Sequence, residues 1–242
     1  MIKVAVVSGS SYGIGEAISR KLLEKGFKVY GISRTPPGIG NPQFVWLKAD
    51  LMNESDIRNV PNQIEEKSIG LLVNNAGTSV HEKVLEFKDR DFNLIFGLNF
   101  IAPIKLTIAL FPKLTNGIVI NISSLADRFP DGLYGSSKAA LNNYFETIAA
   151  ENKDVKVINA LPSYVDTPLL RSLHHNQKDF DWNQTNQPKQ IAEFIDFMLD
   201  NSANIESGSR IVVVSGSQDD GEYDPEKLWL FVTDNKKLTK LK

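Results

Sequence analysis

The sequence predicts an α/β fold, a doubly wound parallel sheet of about seven strands with helices on both faces, in a single domain over 1–242. Three observations predict it. Short β-branched runs alternate with helical patterns along most of the chain, which implies βαβ units. The strand runs are continuously apolar, as parallel strands buried on both faces must be. A chain of 242 residues suits one such domain and can fill a core without disulfides or metals.

The elements follow in order. A strand is expected over 4–8, then a helix over 14–25 with Ile14, Ala17, Ile18, Leu22 and Leu23 on its apolar side. Gly26 ends that helix. Strands are expected over 27–33 and 44–47, a helix over 53–65 and a strand over 70–73. A long helix covers 90–114, with a break near Pro103. A strand over 118–122, a helix over 134–151 and a strand over 155–160 come next, then a helix over 191–199 and a strand over 210–214. The stretch 171–188 is polar and reads as a loop. Leu169, Leu170, Leu173, Phe180 and Trp182 are spaced through and just before it, so 166–188 is expected to close over an apolar substrate as a lid. The tail, 218–242, lies outside the repeating pattern. Its cluster Leu228, Trp229, Leu230 and Phe231 needs cover, from its own domain or from a neighbouring subunit.

Composition narrows the function. The formal net charge of −2 gives no electrostatic case for a nucleic-acid or membrane partner. No apolar stretch is expected to span a bilayer, and the N-terminal apolar run is too short for a signal segment. The chain has no cysteine, which removes thiolate chemistry and agrees with a cytoplasmic location. His81, His174 and His175 are the only histidines, and no metal site is expected from them.

Gly9, Ser10, Ser11, Tyr12, Gly13, Ile14 and Gly15 join the first strand to the first helix. Glycines let the backbone turn sharply beside a phosphate, and the helix start offers free N–H groups to it. Further motifs follow in order: Asn74-Asn75-Ala76-Gly77, Asn99, Ser123-Ser124, Tyr134-x3-Lys138, and Pro162 to Pro168. With the Gly-x3-Gly-x-Gly spacing, this set resembles the short-chain dehydrogenases/reductases over most of the chain. The resemblance implies a Rossmann-type fold and an enzyme that moves a hydride between a nicotinamide and a small-molecule carbonyl or alcohol substrate. Two departures border the substrate region. Ser124 and Tyr134 are only ten apart, and Ser163 stands where the family has glycine.

Carbonyl reduction needs a proton donor. Tyr134 and Lys138 are four apart on a predicted helix and share a face, so the ammonium can favour the phenolate. The resemblance makes Tyr134 the general acid/base and has Lys138 also bind the ribose. It makes Ser124 the donor to the substrate oxygen and Asn99 the holder of a relay water. No acid ends the second strand; Ser33 and Arg34 stand there, and a guanidinium suits a 2′-phosphate. NADP(H) is therefore the preferred cofactor, with NAD(H) the alternative. By resemblance Asp50 and Leu51 meet the adenine, Asn74, Ala76 and Gly77 line the adenosine side, and Val165 and Thr167 meet the nicotinamide amide and phosphate. A non-catalytic NADP(H)-binding sensor or scaffold is the rival reading, distinguished by loss of Tyr134 or Lys138, both of which are present. An epimerase or dehydratase of the extended branch fits the length poorly. The helix over 134–151 carries Ala139, Ala140, Leu141, Phe145, Ile148 and Ala149, more apolar surface than one sheet-facing stripe needs. Family members often pair this helix with a symmetry mate, so a homodimer or homotetramer is expected.

Overall fold

The structure is a computed structural model that describes residues 3–80, 83–215 and 228–240. His81 and residues 218–227 of the tail lie outside the described residues.

Strand β1 (Lys3–Ser8) lies between β2 (Phe27–Ser33) and β4 (Leu71–Asn74), all parallel. Outside β2 runs β3 (Phe44–Lys48). On the other side follow β5 (Ile118–Ile122), β6 (Lys156–Pro162) and β7 (Ser209–Val214). The order is β3-β2-β1-β4-β5-β6-β7-β8-β9. The chain reverses direction across the sheet between β1 and β4, which opens a crevice at the carboxyl ends of these strands.

Among the described residues the sheet has nine strands, not seven. The tail supplies the other two. Strand β8 (Leu228–Val232) pairs parallel to β7, and β9 (Lys237–Lys240) pairs antiparallel to β8. Cover for the tail cluster comes from its own domain: Phe231 is fully buried, with Phe194 and Phe197 of the helix over 188–201 packed against its ring, while Trp229 and Leu230 are half-buried. Apolar burial of this kind stabilises by about 1.5–3 kcal/mol per large side chain.

Helices α1 (Gly13–Glu24) and α7 (Pro188–Asn201) cover one face and bury Ile18, Leu22, Phe194 and Ile195. Helices α2 (Glu54–Asn59), α4 (Ala102–Leu110) and α5 (Gly132–Glu151) cover the other and bury Ile57, Leu106, Leu141 and Phe145. Helix α2 is shorter than expected. Asn53 caps its start, and a 3-10 turn, Val60–Gln63, replaces its second half because Pro61 has no N–H to continue the α pattern.

The long helix needs two corrections. It divides into α3 (Asp89–Phe96), a π turn (Gly97–Ile101) and α4. Pro103 cannot donate to the Asn99 carbonyl, and the turn widens there, with Ala102 N–H bonded to Gly97 O. Asp89–Lys113 is also long and apolar enough, by length and composition, to cross a bilayer, contrary to expectation. Here 44% of its most apolar window is buried inside the fold. Phe92, Ile101, Ile108 and Phe111 on this run remain exposed, as does Tyr144 on α5.

Candidate active site

The glycine loop is built by close approach. Gly9 and Gly13 adopt positive φ of 69° and 63°. A Cβ on Gly15 would lie 2.2 Å from Gly9 O and 2.5 Å from Asn75 Nδ2. Asn75 explains the second clash. Its Nδ2 donates to Ser8 O at 2.9 Å and to Gly9 O at 3.2 Å, and so braces the loop. Ser8 Oγ in turn accepts from Asn75 N–H and Ala76 N–H. Asn75 was not among the expected site residues, although its place beside Asn74 was a signal. Ser10 is fully buried, and its hydroxyl has no hydrogen-bond partner among the described residues. Tyr12 is exposed at the start of α1. A Cβ on Gly13 would touch Thr167 at 3.4 Å, so the segment after β6 lies against this loop. There Thr167 caps α6 (Pro168–His174), and Val165 is buried in the core and bridges Asn186.

The 2′-site is more constrained than its sequence implied. Ser33 is buried and donates its proton to Thr35 O at 2.7 Å. Trp46 of β3 donates its indole N–H to Ser33 Oγ at 3.1 Å. Ser33 is therefore left as an acceptor, while the exposed Arg34 has no ion pair among the described residues. Three of the residues expected at the cofactor have side chains engaged in the fold. Leu51 is 8% exposed and belongs to the core. Asp50 accepts from Met52 N–H, holding the turn into α2. Asn74 donates to Thr107 Oγ1 and to Asn121 Oδ1, and Asn121 donates to Asn159, forming a buried row across β4, β5 and β6. The place of Asn74 on β4, which spacing does not reveal, turns its side chain inward, while Asp50 and Leu51 lie in the turn between β3 and α2.

At the ends of β4 and β5 the catalytic candidates converge. Ser124 starts a 3-10 turn, Leu125–Arg128, and its hydroxyl accepts from Ala126 N–H at 3.1 Å. It also hydrogen bonds to the half-buried Tyr134 on α5. Burial pushes the Tyr134 phenol above its ordinary range, and the Ser124 hydroxyl pulls it back. Lys138 lies one turn further, 4% exposed, and burial lowers its pKa to about 8. Its Nζ donates to Ile122 O at 3.0 Å and lies 5.6 Å from the centre of the Tyr134 ring. The expected lowering of Tyr134 by Lys138 is not what sets the phenol here: desolvation dominates, and the ammonium is turned to a carbonyl. An ammonium has three donors, and this carbonyl uses one, leaving donors for a bound hydroxyl. A Cβ on Gly77 would lie 3.2 Å from Asn99 Oδ1 and 3.5 Å from Lys138 Nζ, so these three also meet. Asn99, on the π turn, accepts from Thr78 N–H at 2.8 Å and donates to Thr78 O and Ser137 Oγ. The Ser123 hydroxyl makes a long contact with Lys138 O, at 3.5 Å, and its N–H donates to Ala160 O. The orphaned Ser10 hydroxyl, the glycine cradle and the free donors of Lys138 fit a dinucleotide cofactor.

The expected lid is folded rather than loop-like. Asp166 and Arg171 form a two-fold ion pair at 2.6 Å, and Arg171 lies 4.8 Å from the centre of the Trp182 ring. Tyr164, His174, Phe180 and Trp182 pack in sequence, edge-on or tilted to one another. Ser163, in place of glycine, accepts from Asn186 Nδ2 at 3.0 Å and so ties the far end of the segment to β6. Phe129 lines a cavity of about 440 Å³ with Phe87 and Ala139, on a side of α5 that Tyr134 and Lys138 do not share.

Comparison with known proteins agrees with this fold. Residues 3–178 match the family model described as short chain dehydrogenase. An uncharacterized oxidoreductase of Saccharomyces cerevisiae, YIR035C, is 34% identical over 194 residues, covering 73% of this chain and 76% of its own. Among solved structures, ElxO with NADP bound has a TM-score of 0.78 at 22% identity, covering 88% of this chain and 97% of that one. The 3-ketoacyl-(acyl-carrier-protein) reductase of Brucella melitensis, complexed with NADH, has the same score and identity and covers 87% and 96%. This chain, an α/β protein by fold and an oxidoreductase by sequence relationship, belongs to the short chain dehydrogenase family.

Proposed function

We propose that the protein is an NADP(H)-dependent oxidoreductase that interconverts a carbonyl and an alcohol, with Tyr134 as general acid/base. The observation that carries this reading is the meeting of Ser124, Tyr134 and Lys138 beside the glycine loop, at the carboxyl edge of the sheet. The nicotinamide of the bound cofactor supplies or accepts the hydride. Tyr134 gives its phenolic proton to the substrate oxygen, and Ser124 donates a hydrogen bond to the same atom. Lys138 stays charged below pH 8 and favours departure of that proton, while its remaining donors hold the ribose. Asn99 holds the Thr78 backbone and Ser137 and keeps the wall behind Lys138 in place.

Arg34 is the group that favours a 2′-phosphate. Ser33, as an acceptor, suits a 2′-hydroxyl, so NAD(H) serves as the weaker cofactor; relatives of this fold have been solved with either. The exposed apolar strip of Phe92, Ile101, Ile108, Phe111 and Tyr144 supports a homodimer or homotetramer through these helices. Light scattering at micromolar concentration tests the assembly, and a lone 26.9 kDa species would contradict it. The activity is tested by following NADPH oxidation with ketones, aldehydes and diketones, and NADP reduction with the matching alcohols. Tight NADPH binding without turnover on any of them would instead favour a sensor or scaffold.

A further inference from the structure

The short connection between Ser124 and Tyr134 contains a buried charge that the proposed chemistry does not use. Asp127 has no exposed side-chain surface. Its Oδ2 accepts from Asn142 Nδ2 at 2.8 Å and from Arg210 Nη1 at 3.1 Å. Arg128 Nε lies 3.6 Å from Oδ1. Arg210, on β7, also pairs with Glu146. Asn142 and Glu146 continue the four-residue steps of Tyr134 and Lys138 along α5, so one stripe of this helix carries two candidate catalytic groups and then two residues of this cluster.

The cluster is expensive. Asp127 Oδ1, Arg128 Nε and Asn142 Oδ1 are buried without a hydrogen-bond partner among the described residues, the first two facing each other only as the 3.6 Å ion pair. Each such group costs about 1–3 kcal/mol. An apolar set of similar volume would hold a loop at least as well, so stability alone does not account for the charges. Burial raises the Asp127 carboxyl, against the pull of Asn142, Arg128 and Arg210, and Glu146 adds to the rise.

What the cluster does that packing could not is fix direction. Asp127 sits in the 3-10 turn that Ser124 caps, and its N–H donates to Ser124 O. Asn142, its partner, stands two turns from Tyr134 on one rigid helix. A closed circuit thus runs from Ser124 through the turn to Asp127, across to Asn142, and back along α5 to Tyr134. The geometry points to Asp127 as a positioning residue that holds the Ser124 hydroxyl against Tyr134, through Asn142 and Arg210. The inference rests on the proposed roles of Ser124 and Tyr134 for its catalytic meaning, but the contact it governs can be read without turnover.

The test is the 13Cζ resonance of Tyr134 in protein labelled at tyrosine, assigned as the line missing from Tyr134→Phe. Ser124→Ala gives the position of that line without the hydroxyl contact. In Asp127→Asn and Asn142→Ala the line should move from its native position toward that of Ser124→Ala, and Asp127→Glu should restore most of the shift. The affinity for NADPH, read by fluorescence, should stay within about twofold in these variants, while kcat on a substrate found in the panel falls about tenfold or more. A folded Asp127→Asn or Asn142→Ala protein whose Tyr134 line stays at the native position overturns the inference, whatever happens to its melting temperature. If Asp127→Asn does not fold, Asn142→Ala decides alone. Full activity in Tyr134→Phe would sink the catalytic reading without touching the line shift, so the two failures are distinguishable.

Discussion

Trp46 holds Ser33. Its indole nitrogen lies 3.1 Å from the Ser33 hydroxyl oxygen, and the only proton of that hydroxyl goes to Thr35 O. A phosphate oxygen needs a donor, and Ser33 has none left to offer. Discrimination by the 2′-phosphate should therefore rest on Arg34. Arg34→Ala is expected to weaken NADPH binding by about tenfold or more, from the loss of charge-assisted bonds of about 1.5–3 kcal/mol, and to leave NADH nearly unchanged. Ser33→Ala should do the reverse. Fluorescence titration of both cofactors checks this, and tighter NADH than NADPH binding by the native protein would refute the preference.

Tyr134→Phe removes the proton donor and keeps the ring. Turnover should fall about 100- to 10,000-fold while NADPH still binds. A variant with most of its activity on an identified substrate would take Tyr134 out of the chemistry.

Lys138 is charged at neutral pH at a cost to folding. Its pKa falls from 10.5 unfolded to about 8 folded, which is worth about 3 kcal/mol. The folded state disfavours the ammonium, so the cost is full below pH 8 and vanishes as pH rises through 10.5. Lys138→Met should accordingly raise the melting temperature at pH 7 and lose that advantage by pH 10.5, while weakening NADPH binding and abolishing turnover. Melting curves of both proteins across this range are the measurement. An advantage that grew with pH would reverse the sign of the argument.

Gly15→Ala places a methyl 2.2 Å from Gly9 O. The loop must open, and the cradle for the phosphates opens with it. A destabilisation of about 1–3 kcal/mol is expected, together with loss of measurable NADPH binding. Native affinity in this variant would mean that phosphates are held elsewhere.

The segment from Thr167 to Pro188 is braced by Asp166, Arg171 and Trp182. If it closes over substrate, limited proteolysis should cut it readily in the free protein and much less with NADPH and a substrate analogue present. Arg171→Ala should speed cleavage in both states. Equal protection with and without ligand would make it fixed scaffold.

Much of this molecule was legible in the sequence. Continuous apolar runs placed β1, β2, β4, β5, β6 and β7 to within two residues at each end, because a strand buried on both faces tolerates little else. The glycine loop was legible because backbone approach leaves few residue choices. What was hidden depends on pairing between distant segments. The strands β8 and β9 follow no helical crossover pattern that could be read, and their place in the sheet comes from the pairing of β8 with β7 and of β9 with β8. Motif position says nothing of side-chain direction, so the inward turn of Asn74 and Leu51 was not visible. Trp46 acts on Ser33 from the neighbouring strand and Asn75 on Gly9 from the end of β4, relations visible only in the pairing of the strands.

The two tail strands have a consequence for handling the protein. Phe231 fills a space beside Phe194, and Thr233 bonds to Asn186 and Gln190 at the base of the folded segment after β6. A chain trimmed after Ser215 would uncover that space and leave β7 with a row of unpaired amides along an apolar strand. Such an edge recruits other strands. Shortened forms should therefore aggregate during expression. An affinity tag belongs beyond the short, lysine-bearing β9, whose outer edge is built to refuse a neighbour.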